Sequence, residues 1–195
     1  MRSMDSQIRF TGFGGQGVIL MGIALARAAS LYERPIGEDG KERRKTAIQT
    51  QSYGPSARGG HSKCDVKISD QEMLYPFVEI PDWLIIMSQQ AYSKYIQERR
   101  PETKVIVDPD LVMDRPTGHV YYISATKAAE SVGTRIVANV VMLGAFREIS
   151  GVVSTESLER ALMDALPKPT HDLNKSALAL GAKLGREAME KRGKA

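Results

Sequence analysis

Apolar residues in this chain recur in two rhythms. Short runs with a period of two, or with no polar break, are separated by longer stretches with a period near 3.6. The short runs predict strands at about residues 8–11 (Ile8, Phe10), 46–51, 65–69, 83–87, 104–107 and 120–124. Val66-Lys67-Ile68 alternates, as a strand with one covered face does, whereas Trp83-Leu-Ile-Ile-Met87 is apolar throughout and predicts burial on both faces. Between them lie helical stretches at about 16–31, 91–98 and 125–132. The first is apolar almost all round (Val18, Ile19, Leu20, Met21, Ile23, Leu25), a helix to be buried rather than half-exposed, with Gly22 allowing close approach to a sheet.

From Arg135 the pattern becomes wholly helical. Ile136, Val137, Val140, Val141, Leu143, Phe146 and Ile149 form one apolar helix, and Ser154 is placed to cap a short one that follows Gly151. Pro167 and Pro169 precede a last helix at about 173–191, with Leu173, Ala177, Leu180, Leu184 and Ala188 predicted to form its buried face. Strands alternating with helices imply an α/β fold, a Rossmann-like three-layer sandwich with a mostly parallel sheet and helices on both faces. The pattern has no internal repeat and no break that would divide residues 1–195 into more than one domain.

Two glycine-rich segments interrupt this pattern. Gly12-Phe-Gly-Gly-Gln-Gly17 lies between the first strand and the first helix and satisfies G-x-G-x-x-G. Such a turn leaves backbone N–H groups free at the positive end of a helix dipole, which suits an anion such as a phosphate. Its other reading is structural, a tight bend with close helix packing. A dinucleotide site would also need a carboxylate ending the second strand, but residues 46–52 contain none, and Glu38 and Asp39 precede the strand. The second segment, Gln51-Ser-Tyr-Gly-Pro-Ser-Ala-Arg-Gly-Gly-His-Ser62, combines permissive glycines with a fixed proline and a guanidinium, and is longer than a simple hairpin turn requires. Arg58 within it could reach a carboxylate or phosphate.

Composition narrows the chemistry. No run of apolar residues reaches the roughly 18 needed to span a bilayer, and the N-terminus has no signal-like apolar stretch, so a cytoplasmic protein without a membrane role is expected. Cys64 is the single cysteine, which excludes a disulfide framework and a four-thiolate cluster, and His61, His119 and His171 lack metal-ligand spacing. The net charge of +4 is mild, with basic residues gathered at 41–45 and 183–194, and reads as solvated surface rather than a nucleic-acid site.

Taken together, Gly12-Phe-Gly-Gly-Gln-Gly-Val18, Thr50-Gln-Ser-Tyr-Gly-Pro55, Arg58-Gly-Gly60 with Ser62, Asp65-Val66, Ile68-Ser-Asp70 and Asn139-Val-Val-Met-Leu-Gly144 resemble the gamma subunit of 2-oxoacid:ferredoxin oxidoreductases. The resemblance runs from about residue 8 to 188, with 37–44 as an extra charged stretch. It implies oxidative decarboxylation of a 2-oxoacid, with 2-oxoglutarate favoured, by coenzyme A to acyl-CoA and CO2, with electrons passing to ferredoxin. It also implies that thiamine diphosphate, Mg2+ and [4Fe–4S] clusters reside in partner subunits: alpha, beta and, in some members, delta. The sequence agrees for two of these: there is one cysteine, and Gly37-Glu-Asp-Gly40 is followed by no asparagine before Asn139. No catalytic residue is expected in this chain. Gly12, Gly14, Gly15, Gln16 and Gly17, with Arg58, Gly59 and Gly60, are the expected contacts to coenzyme A or to a neighbouring subunit, while Tyr53, His61 and Lys63 equally suit interface packing. The competing readings are a free-standing Rossmann-like nucleotide-binding enzyme and a non-catalytic assembly subunit.

Overall fold

The computed structural model describes residues 5–34, 45–53 and 60–193. Six strands form one sheet in the order β2-β3-β1-β4-β5-β6. They are β1 (Ser6–Phe13), β2 (Thr46–Tyr53), β3 (His61–Ser69), β4 (Trp83–Ile86), β5 (Lys104–Val107) and β6 (Val120–Tyr122). β1, β4, β5 and β6 are parallel, whereas β3 runs antiparallel to both β1 and β2. The helices are α1 (Val18–Arg27), α2 (Gln89–Tyr95), α3 (Ala125–Ser131), α4 (Ala138–Ser150), α5 (Thr155–Ala165) and α6 (His171–Gly193).

The expected α/β sandwich is present, and every predicted strand falls on an observed one. One pairing differs from the simple picture. In a dinucleotide-binding fold the second strand lies parallel beside the first; here the chain leaves β1, lays α1 across the sheet, enters β2 two places away, and returns as β3 between them. His61 and Ser62 belong to β3, and Gln51 to Tyr53 belong to β2, so both ends of the segment read as irregular are strand. Its middle, residues 54–59, lies outside the described residues, as does the 37–44 stretch.

The layers are unequal. α1, α3, α4, α5 and α6 share one side of the sheet, where Phe10 meets Phe146 edge-on at 5.4 Å and Phe146 meets Trp83 at 5.6 Å. Among the described residues the other side has only α2 and its extension, covering Leu84, Ile86, Val105 and Val107. All of β4 is buried, as its unbroken apolar run requires. α1 continues through a wider π turn at Ala28–Tyr32, and Gly22 places its backbone against β3: a Cβ there would come within 2.1 Å of Cys64 Sγ.

α6 departs from the expected face. Its buried positions are Asn174, Ala177, Leu178, Gly181 and Gly185, while Leu173, Leu180 and Leu184 are only partly covered. The stripe is shifted because α4 and α6 cross almost backbone to backbone. A Cβ on Gly181 would lie 2.0 Å from the Val141 carbonyl oxygen, and one on Gly144 would lie 2.3 Å from that of Leu178. Small residues therefore define the contact, and the leucines flank it. Ser154 caps α5 as expected, its hydroxyl accepting from the Ser157 N–H at 3.2 Å.

A buried ion network ties the antiparallel strands to the parallel ones. Arg9 on β1 is 1% exposed and forks onto Asp65 of β3, Nε to Oδ1 at 2.7 Å and Nη2 to Oδ2 at 2.8 Å. It also donates to the Val78 carbonyl at 2.6 Å and to Glu98, while Lys63 reaches Asp65 at 3.4 Å. Burial opposes the charge on Arg9, but the Asp65 hydrogen bonds and the two carboxylates outweigh it and hold the guanidinium more firmly protonated than usual.

Candidate functional site

The carboxyl ends of β1, β4 and β5 open on one edge of the sheet, and the chain crosses over on both sides of β1. That is where open α/β sheets place their ligands. The glycine turn occupies this edge. Gly15 (φ 106°) and Gly17 (φ 75°) both adopt left-handed backbone, which glycine adopts without strain. Gly17 is the N-cap of α1 and supplies no side chain, so the first turn of this helix is uncapped.

Gln16 shapes the turn. Its Oε1 accepts the Phe13 N–H at 2.8 Å and its Nε2 donates to the Met87 carbonyl at 2.6 Å, strapping the loop to the end of β4. The side chain lies over Gly12, where a Cβ would meet Oε1 at 2.4 Å. Gln16 thus holds the turn in shape with both ends of its amide engaged. Asn139, at the start of α4, donates to the Gly17 carbonyl at 3.3 Å, and its Nδ2 lies 2.2 Å from where a Gly17 Cβ would stand. This accounts for the asparagine in the Asn139–Gly144 segment: it locks the N-terminal ends of α1 and α4 together.

The two glycine motifs meet. The Gly14 N–H donates to the Gly60 carbonyl at 2.8 Å. Gly60 therefore stands beside Gly14, while Gly12 sits at the end of β1 opposite Ser62. Arg58 and Gly59 lie outside the described residues. At the root of the hairpin, Lys94 donates to His61 Nε2, and the Lys63 and Lys94 ammonium groups stand 5.9 and 5.4 Å from the Tyr95 ring. Burial pushes the Tyr95 hydroxyl up to about 12.

Two clefts flank the turn, separated by Ile136, which is 84% exposed. One, of about 330 Å³, is lined by Phe13, Gly15, Met87, Leu111, Thr126 and Arg135. Below it Asp108 is buried; burial raises its pKa, although the N–H groups of Asp110 and Thr126 and the Thr126 hydroxyl all donate to it. The other, about 380 Å³, runs past Gly17 to Leu20, Asn139, Thr170 and Asn174. A larger hollow of about 480 Å³ lies at the opposite edge of the sheet, between Pro81, Trp83, Arg100 and Lys104, away from both motifs.

The donor set does not fit a metal cluster. Cys64 is buried under α1, Gln49 Nε2 sits 3.0 Å from its sulfur, and burial pushes the thiol up to about 12. Among the described residues no three His, Cys, Asp or Glu side chains converge, and no helix is long and apolar enough to cross a membrane.

Sequence reasoning missed Arg9–Asp65, Gln16–Met87 and Asn139–Gly17. Only the first left a signal, a cation between Ile8 and Phe10 and an acid beside Val66 in two strand patterns.

Residues 7–184 match the family described as pyruvate ferredoxin/flavodoxin oxidoreductase. The chain is 44% identical to the 2-oxoglutarate synthase subunit KorC of Methanocaldococcus jannaschii, over 94% of this chain and 96% of the relative. The gamma subunit of a keto/oxoacid ferredoxin oxidoreductase from Geobacter sulfurreducens superposes with a TM-score of 0.80 at 38% identity, covering 94% of this chain and 98% of that one. A 2-oxoglutarate:ferredoxin oxidoreductase from Magnetococcus marinus, described with 2-oxoglutarate, coenzyme A and succinyl-CoA bound, shares the fold at a TM-score of 0.77 and 20% identity, over 94% of this chain and 31% of that one. A turn joined to a second glycine motif, on a sheet matched along nearly its whole length, places this chain in the pyruvate ferredoxin/flavodoxin oxidoreductase family as a gamma subunit.

Proposed function

We propose that this chain, as a single domain, serves a 2-oxoglutarate:ferredoxin oxidoreductase. The whole complex converts 2-oxoglutarate and coenzyme A to succinyl-CoA and CO2, and two electrons pass to ferredoxin. Thiamine diphosphate, Mg2+ and the [4Fe–4S] clusters belong to partner subunits, alpha, beta and in some assemblies delta, and the isolated chain is inert. The substrate follows the KorC relatives, and we place the complex in the cytoplasm.

Within that complex, Gly12, Gly14, Gly15, Gln16 and Gly17 form the turn that seats an anionic group of coenzyme A. We assign Arg58, Gly59 and Gly60 to the same contact. The observation that carries this reading is the Gly14–Gly60 hydrogen bond beside the uncapped start of α1. It brings a helix N-terminus suited to phosphate next to the motif that carries a guanidinium. Closing this edge also excludes water from the reacting centre.

Arg58→Ala in the reconstituted complex should raise the KM for coenzyme A about tenfold while the KM for 2-oxoglutarate stays unchanged; an unaltered coenzyme KM overturns the assignment. A second reading, assembly alone, is favoured by the exposure of Phe13 and Ile136 beside the turn. Under it, the same substitution weakens subunit association and leaves the coenzyme KM of the surviving complex untouched.

A further inference from the structure

The two clefts beside the glycine turn differ in chemistry. The one of about 330 Å³ has Arg135 in its lining, whereas none of the described residues lining the other, of about 380 Å³, is charged. Leu20, Ile136, Val140 and Leu173 give that neutral cleft apolar walls. Set into them are two asparagines, Asn139 at the start of α4 and Asn174 near the start of α6, each only 5% exposed. A polar side chain buried to that degree ordinarily has its groups satisfied within the protein. Here each amide donates once, Asn139 Nδ2 to the Gly17 carbonyl at 3.3 Å and Asn174 Nδ2 to the Thr170 carbonyl at 2.8 Å. Both partners can only accept, so the orientation of each carboxamide is fixed. Neither Oδ1 accepts a hydrogen bond among the described residues, yet no fully enclosed side-chain oxygen or nitrogen lacks a partner. The two oxygens therefore open onto the little surface these residues keep, which is the wall of the cleft.

We infer that this cleft holds the adenine ring of coenzyme A, with Asn139 and Asn174 reading its edge. The inference rests on the seating of the coenzyme's anionic group at the glycine turn, where the cleft begins at Gly15 and Gly17. A carboxamide presenting a carbonyl and an N–H side by side matches the exocyclic amine and the neighbouring ring nitrogen of adenine. The flat faces of the base suit apolar walls, and an uncharged lining suits an uncharged ring. A phosphate or the two carboxylates of 2-oxoglutarate would lose their water there and gain no cation, so they are kept out. The direction of the coenzyme follows from its chemistry. Its thiol has to reach a reacting centre in a partner subunit, and the end left for this chain to hold is the nucleotide.

Asn174 allows a test that leaves the turn alone, because its amide is bonded to Thr170 and not to Gly17. In the reconstituted complex, the KM for coenzyme A is compared with that for its etheno derivative, in which the exocyclic amine is bridged to the ring and no longer donates. The intact complex should show a KM about tenfold higher for the etheno derivative. Asn174→Leu should raise the KM for coenzyme A about tenfold and leave the values for the etheno derivative and for 2-oxoglutarate unchanged. Equal KM values in the intact complex overturn the inference, and that comparison needs no variant to fold. A parallel rise for both coenzymes also overturns it, since a distorted cleft would not tell them apart. So does weakened assembly with unaltered KM values, the cleft then being covered by another subunit. The seating of the anion is judged separately. Arg58→Ala acts on phosphate and should raise both coenzyme KM values by the same factor, so an impaired Arg58→Ala beside an unaffected Asn174→Leu refutes the adenine cleft alone.

Discussion

The parallel half of the sheet and the β2–β3 hairpin are held by different physics. β4 and β5 lie between two apolar layers, and their order needs no particular polar contact. The hairpin has α1 on one side, while on the other a polar network centred on Arg9 and Asp65 replaces a core. Apolar burial tolerates imprecision because it is non-directional, whereas a forked ion pair fixes register. The candidate site sits on the seam, where Gly60 of the hairpin accepts from Gly14 of the parallel half. The candidate edge thus takes its geometry from a pair of charges in the adjacent strands.

Breaking that pair should have the largest effect. Asp65→Ala strands a buried guanidinium with Glu98 as its remaining anionic partner and should cost about 3 kcal/mol in denaturant unfolding. Arg9→Met with Asp65→Leu should recover most of the loss, because no charge is then left buried without its partner. If the single and double variants are equally unstable, the seam is not held electrostatically.

The parallel half should respond to bulk instead. Gly181→Val forces α6 off the Val141 carbonyl, at an expected cost of about 1–3 kcal/mol, with the hairpin amides keeping their protection in hydrogen exchange. Loss of hairpin protection would show that the two halves do not unfold separately.

At the seam itself, Gln16→Ala removes two hydrogen bonds, to the Phe13 N–H and the Met87 carbonyl, and should cost about 1–2 kcal/mol. In the complex it should also raise the coenzyme A KM, since the turn loses its strap; a stability loss with no kinetic change would assign Gln16 to folding alone. The smallest effect concerns Cys64. With its thiol pushed up to about 12, it should be alkylated at pH 8 roughly a thousandfold more slowly than an exposed cysteine. Fast labelling would mean that α1 opens readily from the hairpin.

Much of this was legible in the chain itself. Val66-Lys67-Ile68 and the apolar run at 83–87 declared one-sided and two-sided burial, and the glycines at 12–17 marked a strand-to-helix turn, because each of these patterns depends on near neighbours alone. The hairpin was harder to see. His61 and Ser62 are polar on both faces of their pattern, so the start of β3 looked like loop, and its antiparallel course rests on contacts 56 residues apart between Arg9 and Asp65. The buried stripe of α6 was misplaced by one position because leucines advertise burial in a sequence and glycines do not.

What the sequence determined alone was the set of elements and the open helix N-terminus at Gly17, both consequences of local periodicity and residue type. What tertiary structure decided was that β3 returns between β1 and β2, that Gly60 reaches Gly14, and that Gln16 and Asn139 hold the turn in shape. These outcomes depend on which distant groups can satisfy one another's hydrogen bonds and charges once buried, a condition that no local pattern encodes.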